Sequence, residues 1–187
     1  MSTNIFQGEM VRLVSEDSDV VADHFSRWSR DTEYWSLQAA NPSILYSVKK
    51  REGLLEKGLL MERADMFFFM IRTLEGDRLI GEMGLEGVQW SHGDTFVGIS
   101  IGEREYWGKG YGTDAMRVIL RYAFIELNLH RVSLNVFEYN QRAIRSYEKV
   151  GFIYEGRVRQ FLKRFGQRWD LIHMGILREQ WEKEQRL

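Results

Sequence analysis

Trp107-Gly108-Lys109-Gly110-Tyr111-Gly112-Thr113-Asp114-Ala115 lies between an apolar, strand-like run, Phe96 to Ile101, and a long amphipathic stretch. Glycines at the alternate positions 108, 110 and 112 leave the backbone without Cβ atoms, so several N–H groups can turn into one concavity and an anion can approach closely. Beyond them Met116, Ile119, Leu120, Ala123, Phe124 and Leu127 share one helical face. A helix from about Gly112 adds the positive end of its dipole to the same spot. Strand, glycine turn and helix N-terminus in that order predict a phosphate cradle, whose ligand is a phosphorylated cofactor rather than a metal.

Working outward, Arg131 to Phe137 alternates Val132, Leu134 and Val136 as a strand, so a strand, a crossover helix and a second strand imply parallel pairing. Asn140 can cap a short helix with Ala143, Ile144, Tyr147 and Val150 on one face, and Gly151 stands where a left-handed C-terminal cap is usual. Strand-like runs Phe152 to Phe161 and Arg168 to Leu177, joined through Arg164 to Gln167, precede a charged tail from Arg178. Upstream, Glu9 to Val14 reads as a strand, and Ser15-Glu16-Asp17 opens a helix through about Trp28. Ser47 to Leu60 is partly helical in spacing, after a loop marked by Asn41-Pro42. Met66 to Arg72, Leu79 to Val88 and Asp94 to Ile101 form an antiparallel meander through the turns Glu75-Gly76-Asp77 and Ser91-His92-Gly93. One domain over 1–187 is expected, with its core at about 9–178 and the tail at 179–187.

Composition narrows the chemistry. A net charge of -1 gives no basic field for nucleic acid, although 142–168 is locally rich in Arg and Lys, and no run approaches a membrane span. The short polar N-terminus predicts a cytoplasmic protein. With Cys 0, disulfides, thiolate metal sites and a cysteine nucleophile are excluded. His24, His92, His130 and His173 show no metal-ligand spacing.

Three glycine-loop chemistries compete. A Walker A loop fails because no Gly-Lys pair is followed by Ser or Thr. Gly110-Tyr111-Gly112-Thr113-Asp114-Ala115 literally matches G-x-G-x-x-A, with Glu138 as a distant candidate for the ribose acid. A doubly wound sheet, however, needs more strand-helix repeats than the one short helix and two strands that follow. The third chemistry is a coenzyme A pyrophosphate loop. GISIGEREYWGKGYGTDAM, NVFEYNQRAIRSYEKVGFIYEG and FGQRWDLIHMGIL together make residues 66 to 177 resemble the GNAT acetyltransferase superfamily, in its RimJ/RimL-type branch of ribosomal-protein N-terminal and spermidine acetyltransferases. The family loop, [QR]-x-x-G-x-[GA], is matched at Gly110 and Gly112, with Trp107 in the Gln/Arg place. The specific signal is this loop together with N-x-x-A-x-x-x-Y-x-K-x-G-F downstream.

The resemblance implies a three-layer α+β fold, with a mixed central sheet, an antiparallel meander and splayed parallel strands flanked by helices. It implies acetyl-CoA as cofactor, with pantetheine on the backbone of Ile99, Ser100 and Ile101 and the pyrophosphate wrapped by Trp107, Gly108, Lys109, Gly110, Tyr111, Gly112 and Thr113. Asn140 and Arg142 stand where further cofactor contacts are expected, a helix cap being the plain alternative for Asn140. Tyr147 matches the family tyrosine that protonates the coenzyme sulfur, core packing being its alternative role. A backbone N–H near Ile99 or Ser100 would polarise the thioester carbonyl.

Glu82, on the meander strand before the cofactor strand, is the first candidate base; a solvated surface position competes for it, and more so for Glu86. Phe96 occupies the place where many relatives carry an acid. The expected partner is a primary amine (a protein N-terminus, a polyamine or another small amine), with no nucleic acid or membrane, and a homodimer as the assembly considered. Trp28, Tyr34, Trp35 and Tyr46 are aromatic candidates for an acceptor wall, core or interface packing being the commoner use of such a cluster. A non-catalytic acyl-CoA-binding module is the competing function, and a nucleotide-binding oxidoreductase a distant third.

Overall fold

The computed structural model describes residues 4–58, 60 and 63–184. Strand β1 (Val11–Val14) leads to three helices, α1 (Ser18–Trp28), α2 (Thr32–Gln38) and α3 (Val48–Glu56), and then to the meander β2 (Met66–Thr73), β3 (Leu79–Gln89) and β4 (Asp94–Ile101). After a 3-10 turn at Arg104–Tyr106 come α4 (Tyr111–Arg121), β5 (Arg131–Phe137), α5 (Gln141–Glu148), β6 (Ile153–Arg164), β7 (Gln167–Leu177) and α6 (Arg178–Glu184). The 7-stranded sheet runs β1-β2-β3-β4-β5-β7-β6. Among the described residues only β4 and β5 pair in parallel, as a strand-helix-strand crossover demands.

Alternation on the strands builds the two outer layers. Met70 and Ile71, neighbours on β2, enter different clusters. Ile71 joins Met83, Leu85, Met116, Ile119 and Phe124 against α4, whereas Met70 joins Val21, Trp28, Tyr34 and Leu55 against α1 to α3. The expected mixed, three-layer sheet is the observed one.

Differences from the sequence reading have local causes. The strand expected from Glu9 begins at Val11, because the N–H groups of Glu9, Met10 and Val11 go to the Asp114 carboxylate on α4 rather than to a strand. The helix expected from Ser15 starts at Ser18, Glu16 being drawn to Arg72 across the sheet. The long helix from Gly112 changes to π geometry over Tyr122–Glu126. That widened turn leaves the Phe124 carbonyl free to accept from Arg178, which also donates to Leu129 at 2.9 Å. Residues from Arg178, read as a charged tail, wind into α6 and bury Trp181 against Phe124. Helix α2 was not anticipated. It is short and is capped by Asp31, whose carboxylate accepts from the N–H groups of Glu33 and Tyr34.

Candidate active site

β4 and β5 pair only at Asp94 with Arg131, Thr95 with Val132 and Phe96 with Ser133, and then diverge. Beyond that point the β4 edge facing β5 has no strand partner, and unpaired backbone amides favour a ligand that can match them. A cleft of about 510 Å³ opens at the divergence. Its lining includes Ile99, Ser100, Ile101, Trp107, Gly108, Gly110, Gly112 and Thr113 on one wall and Asn140, Arg142, Ser146 and Tyr147 on the other.

The glycine turn has the geometry its sequence demands. Gly108 and Gly110 adopt φ of 73° and 97°. Nothing stands within 4 Å of a Cβ on Gly108, and only the Met10 sulfur, at 3.5 Å, approaches one on Gly110. Gly110 caps α4 without a side-chain hydrogen bond, and no protein acceptor among the described residues takes the N–H groups of Gly110 to Thr113. A bare helix start beside two open left-handed glycines fits a pyrophosphate. Asp114, the acid of that first turn, is 3% exposed and faces the opposite way, toward β1.

Two residues of the predicted loop lie off the cleft: Lys109 is exposed, and Tyr111 packs edge-on to Tyr106 with ring centres 4.9 Å apart. Trp107 donates its indole N–H to the Ile101 carbonyl at 2.7 Å and carries the Arg142 guanidinium over its ring at 4.0 Å. That contact fixes the loop to α5. Thr113 and Ser146 fix it again, hydroxyl to hydroxyl, at 2.7 Å. Asn140 caps α5, its side-chain oxygen accepting from Ala143 N–H at 3.2 Å, while it also lines the cleft.

Tyr147 faces the cleft with no side-chain hydrogen bond among the described residues, and burial pushes its hydroxyl up to about 12. Glu82 faces the same cleft rather than bulk water. Burial raises its carboxyl to about 7, against the Ser100 hydroxyl, which donates to Oε1 at 2.9 Å and favours the ionised form; the neighbouring Glu86 adds to the rise. Glu86 also lines the cleft and is more exposed, and Phe96 is 49% exposed.

The sequence reading did not select Leu37, Gln38, Arg145 or Lys149, all of which line the cleft. Of the four candidate wall aromatics only Tyr34 does so. Trp28 donates to Glu103 at 3.0 Å, Trp35 to the Asn41 carbonyl at 3.1 Å, and Tyr46 lies beneath Lys50 and Arg51. Arg164 of β6 holds α2 in place, donating to the carbonyls of Ser36 at 2.6 Å and Ala39 at 2.9 Å. Arg104 holds its other end by pairing with Asp31 and Glu33. Asp170 of β7 accepts from Gln160 N–H at 2.8 Å beside a bulge in β6. Among the described residues no group of three or more His, Asp or Glu is placed to hold a metal, and no helix is long and apolar enough to cross a membrane.

Solved structures share this fold. A spermidine N-acetyltransferase from Vibrio cholerae, crystallised with CoA and spermine, superposes with a TM-score of 0.78 over 92% of this chain and 96% of its own at 23% identity. A GNAT-family acetyltransferase from Bacillus anthracis does so at 0.75 over 93% and 98%, with 19% identity. In sequence, an uncharacterized N-acetyltransferase of Bacillus licheniformis is 26% identical over 171 residues, 91% of this chain and 92% of its own. The spermidine N(1)-acetyltransferase of Escherichia coli K12 is 38% identical over 80 residues, 43% of each chain. The family model described as the acetyltransferase (GNAT) domain matches residues 10–153, which take in the meander, the glycine turn, both diverging strands and α5. By that match this chain belongs to the GNAT acetyltransferases and is an acetyltransferase enzyme.

Proposed function

We propose that the enzyme moves an acetyl group from acetyl-CoA to a primary amine by direct attack within a ternary complex. The observation that carries this reading is the presence in one cleft, beside the unpaired edge of β4, of a carboxyl raised to about 7, Glu82, and a phenol raised to about 12, Tyr147. Gly108 to Thr113 would hold the pyrophosphate, Ile99 to Ile101 the pantetheine amides, and Asn140 and Arg142 flank them. The bound cofactor supplies an activated acetyl thioester.

An ammonium cannot attack, so the chain must remove a proton; α-amino groups titrate near about 8 and Lys near about 10.4. A carboxyl near 7 is ionised over half its molecules at neutral pH and is more basic than an ordinary glutamate, which suits it to that task. Tyr147, near 12, stays protonated throughout the working range and can donate to the departing sulfur. The burial that disfavours phenolate disfavours a thiolate in the same cleft, so the two basicities rise together. A β4 N–H near Ile99 or Ser100 would polarise the carbonyl.

Glu82 and Glu86 lie on one face of β3, about 13 Å apart at the strand rise. Their charge favours a cationic amine, and the spermidine acetyltransferases among the relatives put polyamines first among the candidate acceptors. Protein N-termini and other small amines stand beside them. Incubating the protein with acetyl-CoA and a panel of polyamines, N-terminal peptides and amino acids, read by mass spectrometry, should give enzyme-dependent acetylated product for at least one class. Release of CoA thiol with no acetylated amine would overturn the reading.

Gly110→Ala tests the donor side separately. At a φ of 97° a Cβ costs about 1–2 kcal/mol, while nearby space is ample. With the unliganded loop free to relax out of that conformation and binding having to restore it, CoA binding measured by calorimetry should weaken roughly 5- to 30-fold.

A further inference from the structure

Tyr34 is 5% exposed, and its hydroxyl lies 2.8 Å from Ser100 Oγ. Ser100 has one hydroxyl proton, which it gives to Glu82 Oε1 at 2.9 Å. The contact with Tyr34 must then run the other way, with the phenol donating to a serine lone pair. The chain has a single direction: Tyr34 O–H to Ser100, Ser100 O–H to Glu82.

We propose that Tyr34 is a positioning residue for Glu82, acting through Ser100; its catalytic meaning rests on Glu82 being the base. A serine hydroxyl rotates freely, and with one lone pair occupied by Tyr34 its proton has Glu82 as its remaining directed acceptor. The donation from Tyr34 also polarises Ser100 and strengthens its bond to the carboxylate. Burial and the nearby Glu82 charge hold the Tyr34 hydroxyl well above the usual phenol range, so it remains a donor throughout the working pH range. Since Tyr34 rides on α2, whose two ends are held by Arg104 and Arg164, the basicity of Glu82 depends on the seating of that helix.

The groups around Glu82 are few. Glu86 lies on its own strand, Ser100 on β4, and Tyr34 on α2 with Arg51 of α3 beyond it, while Phe68 of β2 and Tyr147 of α5 line the same cleft. None but Tyr34 is altered by Tyr34→Phe.

The test is the titration of the Glu82 side-chain carboxyl by carbon-13 NMR in unliganded protein, together with the acid limb of kcat/KM. Tyr34→Phe should move both upward by roughly half to one pH unit, the size of the one ordinary hydroxyl–hydroxyl hydrogen bond it removes. Ser100→Ala should move them at least as far, and the double variant no further than Ser100→Ala alone. A lowered Tm with both titrations unmoved overturns the proposal, as does a double variant whose shift equals the sum of the singles. If the carboxyl moves while kcat/KM shows no limb near 7, Tyr34 still positions Glu82, and it is the assignment of the base that fails.

Discussion

Glu82→Gln is expected to lower kcat/KM for amine acetylation by roughly 10²- to 10⁴-fold, the span of a lost general base, with CoA binding by calorimetry unchanged. Gln is nearly isosteric and still accepts from Ser100, so the Tyr34-Ser100 line survives while the proton acceptor is lost. The pH profile makes the prediction specific. A base must be unprotonated to act, and burial raises Glu82 to about 7, so wild-type kcat/KM should fall tenfold per unit below that pH and flatten above it. In the Gln variant that limb should vanish. An unchanged limb in the variant would transfer the role to another group, with Glu86 the first to examine.

Tyr147→Phe is expected to reduce kcat by roughly 10²- to 10⁴-fold, again the range of a lost proton donor, with KM for acetyl-CoA near its wild-type value. The ring shares the α5 face with Ala143 and Ile144 and is tilted against Phe152 at 6.0 Å between centres. Phe preserves this packing, and the hydroxyl has no protein partner among the described residues to lose, so Tm should hold. Measuring kcat with acetyl thioesters of progressively lower leaving-group pKa sharpens the result. The deficit should shrink as the leaving thiol becomes more acidic, because a better leaving group needs less protonation. A constant deficit would assign the ring to packing alone.

How much of this was legible in the chain depended on how local the signal was. The glycine turn and the helix behind it stand next to each other, so backbone freedom, apolar period and dipole all point to one site. The crossover from β4 to β5 and the cap at Asn140 are local in the same sense. Glu82 could be nominated from its strand, but its choice over a solvated position depends on the contact with Ser100, whose register partner it is across β3 and β4. α2 escaped because seven residues give too few turns for a helical period, and its support comes from Arg104 and Arg164, 73 and 128 residues from the groups they hold. α6 escaped because its composition is charged and one buried ring, Trp181, ties it to the core.

The grip of Arg164 on α2 falls on main-chain oxygens, which every amino acid supplies. Side chains such as Leu37 and Gln38 can therefore be exchanged without loosening that fastening, whereas the residues proposed to hold the thioester lie in a separate stretch from β4 to α5. Natural or laboratory diversification at positions 37 and 38, with Glu33 and Tyr34 kept, is therefore expected to shift substrate preference while CoA binding holds.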